Sequence, residues 1–355
     1  MVNPLLSRYK LLKHLGTLDK FKKKEIFYPK LIRVDLTNSC NHRCTYCMYQ
    51  KSLPEFDLCD DFSSKDFIHK EKMLDLIEEF ANNNVSAIMF TGGGEPTIHP
   101  DIYEIIYYTL EKGIEVGLLT NGAKLNKAWL KLLQHKNFKW LRISLDAATL
   151  ETWRKIHNPF SGNNLNEIFS LVEYFKDNNI NAEIGASFVV NDLNWREIIP
   201  FSDLCYNYKF DSVRYTFTYQ IKKEKLYHNF KEQVLESLTR VKNKSLPGFH
   251  ISALTERLEV LQSKVKNYKK CFFFFFSISI GANLKIYPCC MTKYSQKFEI
   301  GDISKVGFAE VWSKNLFSFY RNLFAKECPV CWYDRINEMS EYYLTDNPKG
   351  QNFIN

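Results

Sequence analysis

No stretch of the 355-residue chain reaches the roughly eighteen uncharged apolar residues that a membrane-spanning helix needs; the longest apolar run, Cys271 to Phe276, is far too short. The N-terminus has no secretory core, because Arg8, Lys10 and Lys13 interrupt it. With neither segment, the chain is expected in the cytoplasm, where disulfides are rare. Its ten cysteines therefore read first as metal ligands or reactive thiols. Internal repeats are lacking too. So is a basic face spread over the whole protein: of the net charge of +8, residues 1–30 hold +6, and the rest is close to neutral. Nucleic-acid binding is not expected. In that basic segment Leu5, Tyr9, Leu12 and Leu15 recur at helical spacing and predict a short amphipathic helix packed on the domain. Its lysines would face water or an anionic partner.

What is present is the balance of an ordinary globular protein, 45% hydrophobic and 25% charged, at a length of roughly two domains. From residue 31 short β-rich runs alternate with helical patterns. The runs cover 31–36, 87–91, 115–120, 141–145, 182–190 and 212–217, and helical spacing fills 70–82, 101–112, 127–134, 165–177 and 195–206. Six strands separated by helices predict a parallel β/α array, with its chemistry at the carboxyl ends of the strands. After Tyr219 the alternation gives way to a lysine-rich, largely helical connection over 222–270. A second unit opens at Cys271 with five phenylalanines, Phe272 to Phe276, read as a buried strand. It turns at Gly281-Ala282-Asn283 and returns to Cys289 as a hairpin.

Directly after the first run, Cys40, Cys44 and Cys47 are spaced C-x3-C-x2-C, a pattern expected by chance about once in a hundred chains with this cysteine content. Three thiolates on a short loop can hold three corners of a 4Fe-4S cube. With no fourth cysteine nearby, one iron stays open to a ligand. The alternative is a structural zinc site, which takes four ligands and favours paired C-x2-C. His42 would have to complete it, and its place between two cysteines is expected to turn it away.

A first strand followed by C-x3-C-x-aromatic-C resembles the radical S-adenosylmethionine (SAM) superfamily. The resemblance implies a partial (β/α)6 TIM barrel in which Cys40, Cys44 and Cys47 hold the cluster, SAM chelates the open iron, and Tyr46 lies near the adenine. Thr91-Gly92-Gly93-Gly94-Glu95-Pro96 after the second run resembles the family's GGE motif. Gly93 and Gly94 would let the backbone approach SAM, and Glu95 would accept from its methionyl ammonium. Asn121 in Thr120-Asn121-Gly122, Ser144 and Asp146 after the fourth run, Asn191 after the fifth and Arg214 on the sixth complete the implied SAM contacts. His99 is expected to be structural.

Cys271, Cys289, Cys328 and Cys331 form a second set, with Cys328-Pro329-Val330-Cys331 at C-x2-C spacing. Spacing alone fits a four-cysteine zinc site equally well. The region resembles the twitch or shortened SPASM extension of radical SAM enzymes, which implies an auxiliary 4Fe-4S cluster in a small C-terminal cysteine-rich β-hairpin and helical domain. Cys290 competes with Cys289 as ligand, and Leu284 stands where the pattern has glycine. The expected organisation is a basic helix over 1–29, the partial barrel over 30–221, a helical linker over 222–268, the auxiliary-cluster domain over 269–340 and a tail over 341–355. Of the remaining thiols, Cys59 and Cys205 are candidate hydrogen-atom donors.

The implied activity is one-electron cleavage of SAM to a 5′-deoxyadenosyl radical that abstracts a substrate hydrogen, with the auxiliary cluster as electron acceptor and a flavodoxin- or ferredoxin-type donor. Only 39 residues precede Cys40, which favours oxidation of a small molecule (a sugar, aminoglycoside or other alcohol) over a leader-bearing peptide. Peptide maturation or epimerisation is the alternative. A non-catalytic metal scaffold gives no reason for Glu95, Ser144 and an open cluster to share one barrel mouth.

Overall fold

In a computed structural model that describes residues 8–49, 59–218, 229–244, 246–258, 266–328 and 330–346, strands form where the β-rich runs stand. They are β1 (Leu31–Asp35), β2 (Ala87–Thr91), β3 (Glu115–Thr120), β4 (Phe138–Ser144), β5 (Glu183–Val190) and β6 (Ser212–Phe217). Between and before them lie α1 (Leu15–Lys22), α2 (Lys70–Asn82), α3 (Ile102–Glu111), α4 (Leu130–Leu133), α5 (Leu150–His157), α6 (Leu165–Asp177) and α7 (Ile198–Asn207). Local chemistry sets several boundaries. Asn164 and Glu167 form a capping box at the start of α6, and Asn158 ends α5 in the left-handed conformation.

Each strand from β1 to β6 pairs in parallel with the next, and alternate residues divide two faces. Ile32, Val34, Ile88, Phe90, Leu118, Ile143, Phe188 and Tyr215 are fully buried in the continuous apolar core. Arg33, Met89, Leu119, Ser144, Ser187 and Arg214, on the opposite faces, line the lumen of the partial barrel and are less completely covered.

The connection after β6 contains more than a helix. After α8 (Lys231–Asn243), β7 (His250–Ala253) pairs in parallel with β6, a seventh strand that short apolar content kept out of sight in the sequence. Parts of the connection, 219–228 and 259–265, lie outside the described residues. The hairpin forms as expected from β8 (Ser277–Ile280) and β9 (Lys285–Tyr287), followed by β10 (Gly301–Asp302), α9 (Phe308–Asn322) and α10 (Asp334–Leu344). β8 also pairs in parallel with β1, setting Ser279 opposite Arg33, so the cysteine-bounded hairpin continues the barrel's own sheet.

Two local expectations change. The phenylalanine run is buried, but Phe273–Phe275 form a 3-10 turn and no strand. The backbone N–H groups of Phe272 and Phe273 both donate to Asn337 Oδ1, at 2.7 and 2.9 Å, so a side chain takes donors that a ladder would have used. At the N-terminus Arg8–His14 is 3-10, which shifts the stripe: Leu11 and Leu18 are buried while Tyr9 and Leu12 are exposed. Leu5 lies outside the described residues.

Candidate active site

The three-cysteine loop follows β1 and is held from both sides. On one side the peptide N–H groups of Arg43 and Thr45 donate to the carbonyls of His157 (3.0 Å) and Ile156 (2.9 Å), groups that the last turn of α5 leaves unpaired. On the other, Gly94 N–H donates to Thr37 O (3.1 Å) and Glu95 N–H to Ser39 O (2.8 Å). A side chain at Gly94 would collide with the Ser39 carbonyl, so only glycine lets the two loops meet.

Between them opens a cavity of about 1000 Å³. Cys40, Cys44, Cys47, Tyr46, Gly93, Gly94, Glu95, Asn121 and Ser144 all line it, which brings most of the expected cofactor residues to one place. Glu95 is 3% exposed; burial raises its pKa, while four donors oppose that rise. They are Thr120 Oγ1 (2.6 Å), Asn121 N–H (2.7 Å), and the hydroxyl and N–H of Thr97. Asn121 ties the third strand's turn to the cysteine loop by donating to Asn41 Oδ1 at 2.8 Å.

The three thiols suit an iron cluster by their electrostatics. Burial pushes Cys40 up to about 12, with Glu95 and Cys47 adding to the rise. Cys44 is raised well above its ordinary value by burial and by Cys47, Asp146 and Cys40, and Cys47 is raised by burial. Thiols that oppose one another's ionisation are stabilised as thiolates by a cationic iron centre.

Asp146, Asn191 and Arg214 do not border this cavity. Asp146, fully buried with φ +57°, accepts from the Tyr46 hydroxyl and from Val189 N–H at 2.6 Å, and so fixes the ends of β4 and β5. Asn191 bonds Val189 O and Leu193 N–H within its own loop. Arg214 stands deeper in the lumen. Cys205, a candidate hydrogen-atom donor, is fully buried on α7 in the core outside the sheet, where no substrate in the lumen can meet it. Cys59 is 1% exposed, borders no part of the cavity and is pushed by burial up to about 12.

Three placements were not legible in the sequence. His157 turns Nδ1 to Cys44 Sγ at 3.4 Å and Nε2 to Leu145 O and Asp146 Oδ2 at 3.0 and 3.2 Å. His42, expected to face away, lies with Cys44 and His157 in a group whose ligand atoms are within 4.8 Å of one another. Lys293, from the C-terminal region, pairs with buried Asp35 of β1 at 2.5 Å, and the Tyr294 hydroxyl adds a bond at 2.8 Å. His99 is structural: its ring nitrogens meet Ile68 O and Asp101 N–H.

In the second set, burial, and after it the neighbouring thiols of Cys289, Cys331 and Cys328, raise the Cys271 thiol well above the ordinary value. Cys290 points elsewhere, to the Tyr333 hydroxyl at 3.3 Å. Burial opposes its ionisation, but Arg33, that hydroxyl, Lys293 and Arg257 hold the thiol below its ordinary value. Of the pair, Cys289 is the one whose thiol acts most strongly on Cys271. Asn337 Nδ2 approaches Cys331 Sγ at 3.6 Å while its oxygen holds Phe272 and Phe273, a bridging role the sequence did not announce.

A family model of the radical SAM superfamily matches residues 34–205, and one of an iron-sulfur cluster-binding domain, SPASM, matches 271–332. The chain belongs to the radical SAM superfamily. Its cofactors are SAM and 4Fe-4S clusters, and a SPASM domain follows the radical SAM domain. A GTP 3′,8-cyclase of Limosilactobacillus fermentum is 33% identical over 139 residues, 39% of each chain. Across three such cyclases the radical SAM chain matches between 39% and 56% of the relative's length. An AdoMet-dependent heme synthase of Methanosarcina barkeri is 26% identical over 87% of this chain and 90% of its own. The crystal structure of Streptococcus suis SuiB bound to S-adenosylmethionine shares the fold at a TM-score of 0.63 and 15% identity, over 86% of this chain and 71% of SuiB. Among the described residues no helix is long and apolar enough to cross a membrane.

Proposed function

We propose that this radical SAM enzyme is an oxidoreductase that removes two hydrogen atoms from a small-molecule substrate such as a sugar or other alcohol. When bound, SAM and the first cluster would supply a radical that can take one hydrogen atom from substrate, and the auxiliary cluster would supply an acceptor for the second electron, the second hydrogen leaving as a proton. Cys40, Cys44 and Cys47 would hold the first cluster. Tyr46, Gly93, Gly94, Glu95, Asn121 and Ser144 would shape and orient the SAM site, and the loops that join them exclude water. What supports the oxidative outcome is the second set: the Cys289, Cys331 and Cys328 thiols act on Cys271 while Cys290 meets the Tyr333 hydroxyl, so four protein ligands would leave no open iron. A cluster ligated in that way conducts electrons and does not bind substrate.

The same reading takes a flavodoxin- or ferredoxin-type electron donor and a cytoplasmic setting, which suits ten free cysteines. Iron and sulfide per chain after anaerobic reconstitution test it. About eight irons, falling to about four in a Cys40/Cys44/Cys47→Ala variant, are expected. About four falling to none, with zinc retained in both proteins, would remove the electron acceptor and with it the oxidation. One observation favours a second reading, epimerisation: Cys290 sits beside Arg33 on the lumen side, where its thiol could return a hydrogen atom to the substrate radical. The external donor would then restore the thiol with an electron and a proton. Product formed in heavy water separates the two, since only epimerisation incorporates deuterium. Peptide substrates enter the same incubations.

A further inference from the structure

The lumen of the barrel, beyond the SAM cavity, holds positive charge with little to balance it. Arg33 of β1, Arg142 of β4 and Arg214 of β6 occupy lumen-facing positions, and Arg257 follows β7. Arg257 donates to Thr216 Oγ1 at 2.6 Å, two residues along β6 from Arg214, and lies 4.7 Å over the Trp332 ring. Arg33 lies 5.4 Å over Phe273 and 5.5 Å over Tyr333. Arg142 has Glu183 as a nearby carboxylate, and Arg33 and Arg257 sense the Cys290 thiol. Arg214 has neither. Among the described residues the charged groups that act on it most are Arg257, Arg142 and Arg33, with Tyr333 opposing them; burial and those guanidiniums hold it down to about 9. Among the described residues no ion pair involves an arginine, and the lumen carboxylate Asp35 is already taken by Lys293 and Tyr294.

Unsatisfied polar atoms collect in the same place. Of nine buried side-chain polar atoms with no hydrogen-bond partner among the described residues, five can donate to an anion and stand on strands that face the lumen: Arg33 Nη1, Arg142 Nε, Arg214 Nε, Ser277 Oγ and Ser279 Oγ; a sixth there, Asp35 Oδ1, is an acceptor on the carboxylate whose other oxygen meets Lys293 and Tyr294. Folded proteins pair such groups, and a buried guanidinium without an anion is costly. The arginines also adjoin the reaction site: Ser144, which lines the SAM cavity, is opposite Ser187 on β5, and Ser187 is opposite Arg214 on β6. Two strand spacings separate Ser144 from Arg214, about 10 Å.

We infer that the lumen around Arg214, Arg257 and Arg33 receives the anionic group of the substrate, a carboxylate or a phosphate, leaving the rest of the molecule directed at the SAM cavity. The inference rests on the proposed enzymatic reading and narrows it. A cationic aminoglycoside would meet like charge in this lumen, whereas a sugar acid or a phosphorylated alcohol would complete it. Counter-charge for the auxiliary cluster accounts for Arg33 and Arg257 but leaves Arg214 without an anion among the described residues.

The test is calorimetric titration of the reconstituted holoprotein with inorganic pyrophosphate and, separately, with succinate, at constant ionic strength set by chloride. Wild type is compared with Arg214→Gln and Arg257→Gln, and iron content and SAM affinity are measured on the same samples. Saturable binding of one anion, weakened about ten- to hundredfold in both variants with iron retained, is expected, and the tighter anion identifies the substrate group. No saturable binding by wild type, or equal binding by the variants, overturns the inference. So does iron loss in Arg214→Gln, which would make the residue a support of the auxiliary cluster, or loss of SAM affinity in place of anion affinity. Anion binding by a protein that takes up neither iron nor SAM would preserve the lumen site and sink the enzymatic reading instead.

Discussion

Replacing Gly94 by alanine tests whether the contact between the glycine loop and the cysteine loop builds the SAM site. An alanine Cβ would stand 1.9 Å from Ser39 O and 2.5 Å from the carbonyl carbons of Asn38 and Ser39, all backbone atoms that no rotamer change can move. Ordinary contact needs the two loops to part by about 1.5 Å. That breaks the bonds from Gly94 N–H to Thr37 O and from Glu95 N–H to Ser39 O. Two net hydrogen bonds at about 1 kcal/mol each, with about 1–3 kcal/mol of overpacking, come to about 3–5 kcal/mol. For a chain of this size that lowers Tm by about 4–7 °C. Because the displaced wall carries Glu95, SAM binding should also weaken about ten- to hundredfold. Gly93→Ala is the comparison: its Cβ would meet Asn38 Oδ1 at 2.3 Å and Phe62 Cε2 at 2.8 Å, side-chain atoms that can yield. Differential scanning calorimetry and a SAM titration of both holoproteins read the result. If Gly94→Ala matches wild type, or is no worse than Gly93→Ala in both measurements, the loop contact is not what shapes the site.

Lys293→Met should cost about 3–5 kcal/mol, because among the described residues it leaves the fully buried Asp35 with the Tyr294 hydroxyl alone. Adding Asp35→Asn should recover most of the lost Tm; a double variant whose losses simply add would show that the pair is not coupled. Iodoacetamide at pH 8 should leave Cys59 and Cys205 of the holoprotein unmodified, as read by peptide mass spectrometry. A thiol raised to about 12 is protonated below that pH, so Cys59 is about one part in ten thousand thiolate at pH 8 and becomes reactive only as pH rises toward 12. Modification of either residue at pH 8 would refute the burial assigned to it.

Much of the site was legible because its residues are close in sequence or sit at strand ends. Cys40, Cys44 and Cys47 share one loop, and Gly93, Gly94, Glu95, Asn121 and Ser144 stand just after strands that pair in chain order, so a parallel array necessarily gathers them. Asp146 and Asn191 satisfy that rule too, yet Asp146 is taken up by Tyr46, His157 and Val189 N–H, and Asn191 by its own loop. Position after a strand sets the end of the barrel at which a residue stands, but the local hydrogen bonds decide whether it faces a ligand. Cys205 shows the same limit from a helix, since only packing against β6 decides which side of the sheet it occupies.

By itself the sequence determined the superfamily and the order of the first six strands and their helices, and it marked two groups of cysteines, because these are written in short spacings and local periodicity. The tertiary structure decided what depends on contacts between distant segments. It turned Cys290 toward the Tyr333 hydroxyl, placed His157 against Cys44, joined Lys293 to Asp35, and laid β8 beside β1. It also put Arg33, Arg142 and Arg214 on the lumen side of their strands. A parallel strand buried on both faces carries no mark in its sequence of which face is the lumen, so that charge becomes visible only once the sheet has curved around it.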